Sequence, residues 1–131
     1  DTDMQEKFNP TEAIAKFKTR SKDLPLEIDE RKITFELREP TMADMRAIRK
    51  RYVKFNASGM DINKSKLDEL NYATVQTILY HNGEPAFSSI DEATQFLELA
   101  PVSIGNKIIS ECREICGDED AEALIEELEK N

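Results

Sequence analysis

A chain of 131 residues with 39% hydrophobic and 34% charged side chains is long enough for one domain with a real core. No apolar run reaches membrane-span length, and no basic-then-apolar leader opens the chain at Asp1. A cytoplasmic protein is therefore expected, with an initiator Met removed or the chain trimmed. The net charge of −9 is uneven: Asp118 to Asn131 holds seven acids and one Lys, leaving −3 for the other 117 residues. That balance argues against a general affinity for nucleic acid.

The elements are taken in chain order. Asn9-Pro10-Thr11 is a helix start, and Ile14 with Phe17 gives a short apolar edge, so Thr11 to Thr19 reads as a weak helix or docking arm. Leu24, Leu26 and Ile28 alternate with Pro25 and Glu27. Ile33, Phe35 and Leu37 alternate with Thr34, Glu36 and Arg38. With the polar turn Asp29 to Lys32 between them, the two runs predict one antiparallel hairpin over 24–38, one face of which helices must cover.

Glu39-Pro40-Thr41 ends the second strand. Pro40 disfavours the helical region at Glu39, Thr41 is a good N-cap, and Asp44 suits the first turn. A helix is predicted from Met42 to about Asn56, with Met42, Met45, Ile48, Tyr52 and Phe55 as its buried stripe. A third helix spans roughly Lys66 to His81 and is broken by Asn82-Gly83-Glu84-Pro85. Ser89-Ile90-Asp91-Glu92 has the capping-box spacing, which predicts a fourth helix over Ile90 to Leu99. A fifth runs from Ser103 to Cys116, with Ile104, Ile108, Cys112 and Ile115 inward and Gly117 as its stop. In the acidic tail, Ala121, Leu124, Ile125 and Leu128 form a narrow apolar stripe too short for a stable free coiled coil. It is expected to dock on the domain, dock on a partner, or fray.

A search for chemistry finds little. His81, the single histidine, has no sequence-evident acid or nucleophile partner, and its place at a predicted helix end suits the helix dipole. Cys112 and Cys116 are four apart on one helix, which is neither a zinc set nor a redox motif and fits a reducing compartment. The acid pairs Asp68-Glu69, Asp91-Glu92 and Glu126-Glu127 read as solvated helix faces. None of the four glycines makes a phosphate-cradling loop. No catalytic residue, cofactor site or metal site is expected.

The basic stripe is the best local candidate. Arg46, Lys50 and Lys54 stack at i, i+4 and i+8, with Arg49 beside them. This surface suits an acidic partner, the chain's own acidic tail, or a solvated helix face. Met60 is a flexible side chain of the kind that adaptable binding grooves use.

The run from Ile33 to Arg49, and within it Pro40, Thr41, Ala43, Asp44, Met45, Ile48 and Arg49, resembles the tail assembly chaperones of long-tailed bacteriophages and prophages. That family shows a short strand ending in a Pro-Thr-like pair, then a helix rich in Met, acid and Arg. Leu97 to Asn106 is similar to its short helix, break and final helix. The resemblance covers about 24–117. It implies a non-enzymatic protein that binds the tape measure protein and keeps it soluble while tail tube subunits assemble. It also implies a longer frameshifted form that recruits the tail tube protein, and absence from the mature virion.

The expected architecture is α+β and mostly helical: an N-terminal arm (1–23), a hairpin on four to five helices (24–117), and an acidic helical tail (118–131). The expected partner-binding residues are Arg46, Arg49, Lys50, Lys54, Met60, Leu124, Ile125 and Leu128. Homo-oligomerisation is left open. The rival readings are another small phage or bacterial adaptor, and a weak nucleic-acid binder through Arg46, Lys50 and Lys54.

Overall fold

The computed structural model describes residues 7–56, 59–62 and 66–117. The chain is α+β and mostly helical, as its patterning predicts. Its elements run α1 (Pro10–Lys16), β1 (Ser21–Ile28), β2 (Arg31–Arg38), α2 (Met42–Tyr52), β3 (Val53–Asn56), β4 (Gly59–Ile62), α3 (Leu67–Ile78), β5 (Leu79–His81), β6 (Glu84–Pro85), α4 (Ile90–Leu99) and α5 (Val102–Ile115).

The expected hairpin forms and is longer than its apolar run. β1 and β2 pair antiparallel from Ser21↔Arg38 to Ile28↔Arg31. Its turn is tight, with Asp29 and Glu30 both left-handed at φ 53° and 61°. Two residues of this hand match the twist of the strands. Because directly paired residues share a face, Leu24 with Phe35 and Leu26 with Ile33 form one apolar layer. Asp23, Pro25, Thr34 and Glu36 make the opposite face.

The hairpin is not alone, and this corrects the sequence reading. The third helix ends at Ile78 rather than His81, and Leu79–His81 turns outward to pair with β2 through Leu37↔Leu79 and Glu36↔Tyr80. Asn82 and Gly83 then take positive φ of 52° and 83°, and β6 folds back on β5. Asn-Gly is the strongest short hairpin signal, and here it does more than stop a helix. The sheet therefore has four strands in the order β1-β2-β5-β6. On its outer face Arg38 lies 4.0 Å from the centroid of the Tyr80 ring and pairs with Glu36.

The core lies between the inner face of this sheet and the helices α3, α4 and α5. Leu24, Phe35, Leu37 and Leu79 from the sheet meet Tyr72, Val75, Ile78, Ala93, Leu97, Ile108, Cys112 and Ile115. Leu37, Val75, Ile78, Leu79 and Ile108 have no exposed surface. Each inward position predicted for the fifth helix is buried or half-buried.

The helix starts follow their side-chain chemistry. At α2, Asp44 N donates to Thr41 Oγ1 (3.1 Å) and Thr41 N donates to the Asp44 carboxylate (3.0 Å), a reciprocal cap. At α4, Glu92 N donates to Ser89 Oγ (3.1 Å), while the Glu92 carboxylate accepts from Ser88 N (3.3 Å) and Ser88 Oγ (3.0 Å). Ala100-Pro101 makes the corner to α5, and Gly117, at φ 69°, closes α5 in the left-handed conformation.

The second helix is the largest correction. It ends at Tyr52, and Val53–Asn56 pairs antiparallel with Gly59–Ile62 from Val53↔Ile62 to Asn56↔Gly59. Val53 and Phe55 are strand formers at alternate positions, a period-2 signal embedded in a helical pattern. Met42, placed in the buried stripe, is 83% exposed, and only Ile48 of α2 is buried. Met45 and Tyr52 of the predicted stripe are half-buried, so the helix covers its apolar side only in part.

Polar ties join the C-terminal end of α5 to the start of the hairpin. Arg20 Nη2 donates to the Ile115 carbonyl (2.9 Å), and Arg20 N donates to Glu39 Oε1 (3.0 Å). This backbone donor and the guanidinium hold the Glu39 carboxyl below its ordinary range. One turn in from that end, Glu111 accepts from Lys22 Nζ (2.7 Å) and pairs with Lys107 Nζ (3.2 Å). The Lys22 hydrogen bond, with help from Lys107, lowers the Glu111 carboxyl against the opposing effect of burial. Lys22 is correspondingly raised by the same hydrogen bond.

Candidate functional site

The opposite end of the helical layer is open and apolar. A groove of about 460 Å³ lies between the hairpin tip, α4 and the start of α5. Ile28 contributes from the end of β1, Phe87 from the segment before α4, Phe96 and Leu99 from α4, and Pro101 and Ile104 from the corner and α5. Phe87 and Phe96 pack with ring centroids 5.1 Å apart and planes tilted by 47°, giving the groove an aromatic floor. Leu99, which lines the groove, is exposed, as is Val102 at the start of α5.

Local sequence explains why the groove is open. On α4, Ala93 and Leu97 turn into the core, while Phe96 and Leu99 lie on a second side of the same helix. A ten-residue helix with apolar side chains on two sides can bury only one of them against its own sheet. Pro101 then turns the chain sharply, so α5 leaves before it can cover Leu99.

The charge around the groove is mostly negative, with Arg31 opposite Ile28 at the hairpin tip as an exception. From Asn82 to Asn106 the chain carries Glu84, Asp91, Glu92 and Glu98 and no Lys or Arg. Glu92 lines the groove itself. Glu98 stands beside the Tyr72 hydroxyl, whose pKa is raised first by burial and then by that carboxylate. A partner for this groove should be apolar on one side and cationic at its flanks.

The residues expected from sequence to bind a partner lie elsewhere. Arg46, Arg49 and Lys50 are exposed on α2, as the stripe predicts. Lys54 falls in β3, so the helical i, i+4, i+8 stack ends at Lys50. Met60 falls in β4. Leu124, Ile125 and Leu128 lie outside the described residues. A smaller hollow of about 240 Å³ beside α2 is lined by Asp44, Ala47, Ile48, Arg51, Tyr52, Ala73, Thr77 and Ile90. It links the basic helix to α3 without involving the apolar groove.

The isolated reactive side chains sit in packing environments. His81 is half-buried in β5 rather than at a helix end, its ring 5.6 Å from that of Phe35. Burial pushes the Cys112 thiol well above its usual range, so it is held as the unreactive thiol. Among the described residues no three His, Cys, Asp or Glu side chains are grouped as a metal site would need. No described helix is long and apolar enough to cross a membrane. Comparison with protein-family models, curated proteins and solved structures finds no match for this chain.

Proposed function

We propose that this protein is a tail assembly chaperone of a long-tailed phage or prophage, acting without catalysis in the host cytoplasm. It binds the tape measure protein and keeps it soluble while tail tube subunits assemble around it. The observation that carries this reading is the open apolar groove walled by Phe96, Leu99 and Ile104. An amphipathic helix binds by laying its apolar face in such a groove. A long helical client with recurring apolar stretches offers many such faces. The strand, the Thr41 cap and the helix on which the resemblance rests are present as β2, a reciprocal cap and α2. The strongly acidic chain suits a protein that must stay soluble while carrying an apolar client. A longer frameshifted form, where one is made, would recruit the tail tube protein through added sequence.

The test is co-expression with a cognate tape measure protein. The wild-type chain should hold that protein in the soluble fraction and co-purify with it. Leu99→Lys should abolish co-purification while leaving the melting temperature unchanged, because Leu99 is solvent-exposed. A tape measure protein that stays insoluble, or that binds the Leu99→Lys variant equally well, refutes the reading.

A further inference from the structure

The same chain carries a second uncovered apolar element. Helix α1 buries none of its residues. Phe8 just before it, Ile14 within it and Phe17 at its end are 77%, 66% and 76% exposed. A seven-residue helix is not stable on its own in water. This one is nevertheless well started: Asn9 Oδ1 accepts from Thr11 N (3.1 Å) and Glu12 N (3.3 Å), and Pro10 occupies the first helical position. Ile14 and Phe17 are three apart, so they project from one side of the arm. Lys7, Lys16 and Lys18 outnumber the single acid Glu12 ahead of the anchored Arg20. The arm is thus apolar on one side and cationic at its flanks, which complements the net acidic charge of the segment 82–106 that forms most of the groove.

The arm cannot seat fully in its own groove. Its root, Arg20, is hydrogen-bonded to Ile115 at the C-terminal end of α5, whereas the groove holds Ile104 near the N-terminal end. Eleven helical residues separate these points, roughly 16 Å at 1.5 Å per residue. The hairpin gives a second ruler: Ser21 starts β1 and Ile28 at its far end lines the groove, about 23 Å at 3.3 Å per residue. Phe17 is three residues from Arg20, so even a fully extended tether carries it no more than about 11 Å. Measured along the hairpin, Phe17 falls short.

We propose that the groove between α4 and α5 receives the arm of a second copy of this chain, with Ile14 and Phe17 seated against Phe96, Leu99 and Ile104. Exchange of two arms between two copies buries both uncovered surfaces and closes the pair. The association needs no client and stands apart from the client's identity. Its consequence for the client, competition for one groove, rests on the chaperone reading above. An arm in the groove would shield the apolar surface until a client helix displaces it.

Sedimentation velocity on the full chain, over a wide concentration range and without client, tests the proposal. Two variants are used: Ile14→Ser/Phe17→Ser removes the arm's apolar side, and Leu99→Lys places a cation at the mouth of the groove. Both alter exposed positions, and circular dichroism melts check that both fold. The wild type should associate with rising concentration, and each variant alone should require about tenfold more protein or stay monomeric. An equimolar mixture of the two variants should recover a dimer, because the intact arm of one meets the intact groove of the other. A wild type that is monomeric throughout overturns the proposal. So does a mixture that behaves as its separate components. Failure of client binding with intact mixture rescue would instead refute only the chaperone reading.

Discussion

The two ends of the helical layer treat apolar surface in opposite ways. At the end where α5 meets the hairpin root, Arg20, Lys22, Glu39 and Glu111 tie the elements together over a sealed core of Leu37, Ile78, Leu79 and Ile108. At the other end, Phe96, Leu99 and Ile104 wall an open groove, and the exposed arm carries the apolar residues that would match it. The contrast separates stability from use. The closed end is sealed and tied, whereas the open end exposes surface that a protein optimised for stability alone would cover.

Substitutions at the closed end should have the largest effect. Leu37→Ala removes a fully buried side chain where the sheet meets the helices, and should cost about 3 kcal/mol in chemical denaturation. A cost below about 1 kcal/mol would show that the layers are less tightly packed than this contrast requires.

The next effect is electrostatic. Glu111 is held below its ordinary range chiefly by Lys22, so its contribution is present above the unfolded-state pKa, near 4.5, and fades as the pH falls through its lower folded-state value. Glu111→Gln should cost at most about 1 kcal/mol at pH 7, because solvent screens a pair at the surface. It should also flatten the loss of stability below pH 4.5. An unchanged acid limb in urea titrations of the variant would assign acid sensitivity to other carboxylates.

The smallest effect lies at the hairpin tip, next to the groove. Asp29-Glu30 takes the same left-handed turn as Asn82-Gly83, but with a side chain at the second position that disfavours it. Glu30→Gly should raise stability by about 0.5–1 kcal/mol and leave the groove intact. A loss of stability would mean that the Glu30 side chain contributes more than its backbone strain costs.

Legibility from sequence divides along the same line. The closed end could be read from the chain because its signals are periodic: alternation in β1 and β2, a 3.6-residue stripe in α5, and the Thr41 and Ser89 caps. The short pairings were harder. Leu79–His81 continues an apolar run that a helix pattern absorbs, and only Asn82-Gly83 marks it as one arm of a hairpin. Val53–Asn56 is likewise short, at four residues, against a helix whose polar face suggested continuation. Burial along α2 failed to follow periodicity because Met42 occupies the first turn, beyond the cover that α3 gives to Ile48.

The groove was the least legible part. Periodicity identifies which residues one helix buries, but not which side chains are left over when two helices meet at a corner. The signal was present in α4, where Phe96 and Leu99 are apolar beyond the Ala93 and Leu97 needed inward. The basic stripe drew attention because charge is conspicuous in a sequence, whereas a surplus of apolar residues resembles ordinary core.

The most direct test of the central claim is hydrogen–deuterium exchange of the protein with and without an added segment of the proposed client, a tape measure protein. Protection gathered in 86–104, with little change along α2, is the predicted result. Protection confined to Arg46, Arg49 and Lys50 on α2, with the groove segment exchanging as before, would contradict it.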